Sequence, residues 1–223
     1  MLTVRCLRQQ VRMWWHHPWR IGLTVIIAGL MPWRWLRFLQ EPTTPAIDIY
    51  QRLFSLEDFS FIYLPVALIL GLIGLRSRVT DFGVTGTRST WWRQILIQSA
   101  LGQGGLWIVW TAMSVTGFWL RGGWPLAVYV LRGAGQLGLN QLFFSGIGLI
   151  IYGLWQQKTL AIMMSWLLGL GFLLFLSGQP WPWLKFTRPL AWATMWFNSL
   201  AMIVLVVGLI GALWEIVHWQ DVN

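Results

Sequence analysis

Residues 197–214 read FNSLAMIVLVVGLIGALW, a stretch without a single charged side chain. An α-helix needs about 20 predominantly apolar residues to cross the hydrocarbon of a bilayer. Runs of this kind recur along the chain, and no other feature limits its possible folds as strongly. Six candidate spans are read, at roughly 19–36, 59–75, 95–120, 138–155, 159–176 and 197–214. In lipid every backbone amide must find a partner inside the segment, so these are helices and not open strands. The composition agrees. The 223 residues are 57% apolar and 10% charged, whereas a soluble domain has about a quarter charged residues. Nineteen tryptophans suit the headgroup boundary, where the indole ring is buried and its N–H stays wet. The expected fold is all-α: a polytopic membrane helical bundle, one transmembrane domain over 1–223.

The polar segments between the spans fill in this outline. Val4, Leu7, Val11 and Trp14 recur at helical spacing, with Arg5, Arg8 and Arg12 on another face. That pattern predicts an amphipathic N-terminal helix over 1–18 lying in the interface. The loop LQEPTTPAIDIYQRLFSLEDFS holds four of the seven acids, and Ile47, Ile49 and the residues from Tyr50 to Leu56 can form a short surface helix. Residues 121–137, RGGWPLAVYVLRGAGQL, are interrupted by glycines and Arg132 and are read as a surface or re-entrant helix feeding the fourth span. Residues 177–196, SGQPWPWLKFTRPLAWATMW, contain three prolines and four tryptophans and predict a broken external hairpin at headgroup level.

The net charge of +9 is assigned to arginines at helix ends facing anionic headgroups, not to nucleic acid. With six spans, nine basic residues fall on the N-terminal side and seven on the other, where one loop also gathers the acids. Both termini are therefore expected in the cytoplasm of a bacterial-type cell membrane, with residues 76–94 on the same side. Cys6 is the single cysteine, so neither an internal disulfide nor a cysteine metal cluster can form.

Catalytic constellations are missing from the spans. His16, His17 and His218 lie at span edges or outside them. No zinc-binding H-E-x-x-H and no paired carboxylates occur, and neither Lys158 nor Lys185 follows a phosphate-loop glycine pattern. Ser145 lies in FSGIG but has no histidine to activate it, and it is read with its glycines as close helix packing. No catalytic, cofactor or metal site is assigned. The polar residues inside spans three and four carry more information, because burying them in lipid is costly. Gln98, Gln103, Asn140 and Gln141 either hydrogen-bond between helices or line a shared polar interior, a candidate translocation path.

The stretch RSRVTDFGVTGTRSTWWRQ, residues 76–94, is short, basic and rich in hydroxyls between two apolar runs. With the order of the other parts, and with TGTRSTWWRQIL leading into the third span, it resembles the permease subunit of type-2 ABC exporters. The likeness covers nearly the whole chain as architecture and is local only at that segment. It implies six helices per subunit and a cytoplasmic coupling helix between the second and third, seated on a separate ATP-hydrolysing subunit. On this chain the coupling residues would be Thr80, Asp81, Phe82, Val84, Thr85 and Arg88, with Arg88, Trp91, Trp92 and Arg93 at the headgroups. ATP and magnesium would sit on the partner ATPase. A second permease subunit, identical or related, would complete the pathway, and an amphipathic or apolar cargo such as a peptide, lipid or drug-like molecule fits the uncharged spans. Two other classes stay open: a non-transporting accessory or immunity protein of the membrane, and an intramembrane enzyme.

Overall fold

The computed structural model describes residues 18–37, 45–73, 75, 88–176 and 192–222. All regular structure among them is helical. The predicted N-terminal helix up to residue 17, the coupling positions Thr80, Asp81, Phe82, Val84 and Thr85, and residues 177–191 of the external hairpin lie outside the described residues.

The described helices form a bundle and lie at or near the positions the hydropathy marks; among the described residues two apolar helices, Ala127–Trp155 and Ser199–Ile216, are long enough to cross a bilayer. Helix α1 covers 18–36 as Pro18–Val25, a π-helical turn Ile26–Leu30 and Met31–Leu36. The short helix α2 is Ala46–Leu53, where the sequence places its surface helix. Helix α3 covers 56–73, with π-helical turns at Phe59–Tyr63 and Ile69–Ile73 on either side of Leu64–Leu68. Helix α4 is Arg88–Trp155, α5 is Lys158–Leu176 and α6 is Trp192–Val222. Residues 192–196, expected in the external hairpin, are the first turn of α6 instead.

The π turns have a local cause in two cases. Proline has no N–H and its ring crowds the carbonyl four residues back. Pro65 follows the turn Phe59–Tyr63, where the Leu64 N–H bonds the Phe59 carbonyl five residues back. Pro32 stands just after Ile26–Leu30. Widening the helix ahead of the ring spreads the backbone groups that a regular α-helix would have crowded.

Helix α4 cannot be straight. Trp107 Nε1 donates to the Ala134 carbonyl at 2.8 Å, yet the two residues would lie about 40 Å apart along one axis at 1.5 Å rise per residue. Trp92 lies across Gly153, and Trp107 across Gly138. These pairs are symmetric about residues 122 and 123, so the chain doubles back between Trp107 and Ala134 and returns antiparallel. The first limb is 88–121 and the second 122–155. Residues 121–137 are thus the start of a long returning helix and not a separate surface helix, a correction to the sequence reading. Glycines and an arginine lower the hydropathy there, but the segment packs on protein: a Cβ at Gly133 would strike Tyr50 and Phe54 of α2.

The other helices assemble on α4. Leu36 of α1 fits over Gly117 on the first limb. Helix α3 crosses the first limb most closely where Gly102 abuts the Leu70 carbonyl and Gly71 abuts Gln103. Helix α5 packs beside α3, with Trp166 Nε1 donating to the Ser60 carbonyl at 3.0 Å. Phe59, Tyr63, Trp110, Phe144 and Phe172 form the aromatic centre. Helix α6 runs along the second limb, with Leu209 over Gly146.

The glycine contacts are sharply position-dependent. Backbone cannot yield as a side-chain tip does, so Gly102→Ala should destabilise the bundle by about 1–3 kcal/mol. Gly104 has open space where a Cβ would go, and Gly104→Ala should be neutral or stabilising, by up to about 1 kcal/mol. Unfolding midpoints of the two variants in mild detergent check this, and an equal loss in both would contradict it.

Candidate functional site

The buried polar side chains among the described residues are Thr24, Ser60, Ser99, Gln103, Ser114, Gln136, Asn140, Gln141, Ser145 and Ser165. All are uncharged. Most come from α4, because its two limbs face each other and every other helix of the bundle. A neutral polar group in a low-dielectric interior needs a partner, and the interior then strengthens the bond it makes.

Three of the four polar positions singled out in the sequence fall in this seam. Gln141 accepts a hydrogen bond from Tyr63 Oη at 2.6 Å, which joins the second limb to α3. Asn140 is fully buried and accepts from Gln136 Nε2 at 3.2 Å. Gln103 Nε2 donates to Ser99 Oγ at 3.1 Å, and its side chain lies over Gly71 of α3. Gln98 is half-buried. Ser114 Oγ donates to the Trp110 carbonyl at 2.7 Å, a bond within its own helix.

Tyr63 completes the seam and was missed in the sequence. It is fully buried between Phe59 and the edge-on ring of Trp110. A tyrosine inside an apolar run scores as hydrophobic, and only its O–H, invisible to hydropathy, ties it to Gln141. Several seam groups have no protein partner: Asn140 Nδ2, Trp110 Nε1 and the hydroxyls of Ser60, Ser145 and Ser165. Groups of this kind are where a bundle takes an ordered water or a hydrogen-bonding ligand.

At the end of the bundle where α3 finishes, Lys158 Nζ donates to the Leu75 carbonyl. The lysine opens α5, one residue past the turn 156–157, where Gln156 holds a left-handed φ of 57°. Gln156 Nε2 also donates to the Gly153 carbonyl at 3.0 Å. The α4–α5 turn is thus fastened to the residue that precedes the basic segment 76–87. Trp92, expected at the headgroups, is instead buried on Gly153 between the limbs, while Arg93 is exposed. Arg88 begins α4.

At the other end, α2 rests on the second limb. Tyr50 is buried there, which pushes its phenol up to about 12, while the nearby charge of Arg132 pulls the other way. The Arg132 guanidinium lies 5.4 Å from the ring centroid of Tyr129, a cation–π geometry. Among the described residues no group of three or more His, Cys, Asp or Glu is placed to hold a metal ion.

The chemistry the seam offers is hydrogen bonding by uncharged groups. Removing one partner of a buried pair leaves the other unsatisfied and costs about 1–3 kcal/mol, whereas removing both is nearly neutral. Tyr63→Phe should therefore lower stability by about that amount. Adding Gln141→Leu should restore part of the loss. A double-mutant cycle on unfolding in detergent measures the coupling, and strictly additive losses would mean that the pair contributes nothing.

No family of known proteins, no curated protein and no solved structure matches this chain.

Proposed function

We propose that the chain is a multi-pass membrane protein of six spans with both termini in the cytoplasm. It serves as the permease subunit of a type-2 ABC exporter, moving an amphipathic or apolar molecule with energy from a separate ATPase chain. The membrane part rests on exposed apolar surface. Two helices are long and apolar enough to cross a bilayer, Ala127–Trp155 and Ser199–Ile216, and only 11% of the second is buried. Ile203, Val204, Val207, Ile210 and Trp214 on α6 are all exposed. A monomeric soluble protein rarely leaves so continuous an apolar face to water. The α1, α3 and α5 passes supply shorter apolar helices at Ile21–Arg34, Phe59–Ile73 and Lys158–Phe172.

The transport part is carried by one observation, the order of the passes around residues 76–87. In the sequence a basic segment separates the second apolar run from the third, and Lys158 binds Leu75 just before that segment begins. In the resembled family this position belongs to the coupling helix. The seam of Gln103, Asn140 and Gln141 is uncharged and buried within the bundle, which agrees with an uncharged cargo.

The coupling role is tested by Phe82→Asp combined with Val84→Asp. A helix docked in a protein groove depends on a few apolar anchors. The double variant should insert normally, because the neighbouring apolar lengths are unchanged. It should lose co-purification with an ATPase encoded beside it, by roughly tenfold or more. Retained ATPase binding and full transport would remove the coupling role and favour the accessory-protein reading. With Cys6 replaced, a cysteine at Thr85 should react only with membrane-permeant reagents in intact cells. Strong labelling by an impermeant reagent would overturn the topology.

A further inference from the structure

A cleft of about 110 Å³ lies between the two limbs of α4 and helix α6. Its floor is polar, made by Ser99, Gln103 and Ser145, and its walls are aliphatic, among them Leu96, Leu149 and Leu213. All three floor residues are more than nine-tenths buried. Ser99 and Gln103 bond each other. Ser145 also lines the cleft, and its hydroxyl has no protein hydrogen-bond partner. The mouth is marked by three lining residues that are exposed, Ala100, Leu142 and Ile210. No lining residue carries a charge.

We propose that this cleft binds an uncharged amphiphile, an alkyl chain that ends in a hydroxyl or carbonyl group. Three features carry the assignment. The volume suits a short aliphatic segment, since an apolar cavity of about 150 Å³ accommodates benzene. The one unpartnered group is a hydroxyl, able both to donate and to accept, and a hydroxyl or ester carbonyl satisfies it. A charged headgroup has no counter-ion here and would meet the full cost of desolvation. Ser145 lies about ten residues, or about 15 Å, from the end of its limb, close to the middle of a 30 Å hydrocarbon layer. The ligand therefore enters sideways, from the acyl-chain region past α6. The inference rests on the membrane part of the proposed function and is independent of the transport part. The same chemistry can come from a neutral bilayer lipid or from a free amphiphilic solute.

The test uses the full chain in phosphatidylcholine nanodiscs and a photoreactive octan-1-ol carrying a diazirine on its alkyl chain. Resistance of the membrane-bound chain to alkaline extraction is established first, so that failure of the membrane reading is seen separately. Labelling should concentrate on Leu142, Leu209 or Ile210 and fall when unlabelled octan-1-ol is in excess, but not with octane. Ser145→Ala should weaken labelling by about three- to tenfold, the value of one hydrogen bond. Ala100→Phe fills the mouth from an exposed position and should abolish it. Competition by a monoacylglycerol built into the disc assigns the site to bilayer lipid, and competition by octan-1-ol alone assigns it to a free solute. Labelling spread evenly over α6, or unchanged by both substitutions in a chain that inserts normally, would overturn the proposal.

Discussion

The bond from Trp107 Nε1 to the Ala134 carbonyl closes α4 on itself, and the rest of the bundle depends on that closure. Each limb alone would present a helix with apolar and polar residues on most sides. Folded together, the limbs turn Gln103, Ser114, Asn140 and Gln141 inward and leave an apolar surface for other helices. Helix α3 then approaches as far as Gly102 and Gly71 allow. At that distance Tyr63 reaches Gln141, and α5 follows by packing on α3. The order of dependence runs from the reversal of α4, to a pair of limbs, to a polar seam that fixes which helices meet.

Much of this is legible in the sequence because it depends on hydropathy alone. The described helices lie close to the apolar runs that mark them, and α2 forms where Asp48, Gln51 and Arg52 are interspersed with Ile49, Tyr50 and Leu53. What hydropathy cannot give is phase between helices. Trp92 looks like a headgroup tryptophan because arginines flank it, yet Gly153 on the other limb leaves a slot for its ring. Residues 121–137 look too polar and glycine-rich for a long helix, yet Gly133 faces Tyr50 and Phe54, and the Ala134 carbonyl accepts from Trp107. In each case the missing information sits on a partner far away in the chain. Gln103, Asn140 and Gln141 stand out in the sequence because polar groups in apolar runs are conspicuous. Tyr63 does not, since its ring hides its hydroxyl in the count.

The seam and the glycine contacts also limit what the bundle can do when it moves. Contacts between glycine and backbone have no side chain to repack, so helices that meet there shift as rigid bodies. The π turns of α3 bracket Leu64–Leu68, the part that faces α5 and the seam. A helix with widened turns on both sides of a short regular segment has two places where its hydrogen-bond ladder can change step at small cost. Lys158 holds the far end of that helix at Leu75.

Charge is kept out of the seam, and for the proposed exporter this would favour some cargoes over others. The net charge of +9 is carried by side chains other than the buried polar ones, all of which are neutral. For the proposed exporter, a cation or anion passing between two such subunits would leave water and find no fixed opposite charge, a cost of several kcal/mol even after relaxation. A neutral amphiphile loses far less, because each hydroxyl or carbonyl it carries exchanges water for Ser, Asn or Gln. Its apolar part needs no passage through the seam at all, since α6 leaves an aliphatic face exposed beside it. In that proposal the polar group of the cargo would exchange partners with uncharged side chains while its chain stays in the acyl region, and the cleft lined by Ser99, Gln103, Ser145 and aliphatic residues of α6 offers both kinds of surface.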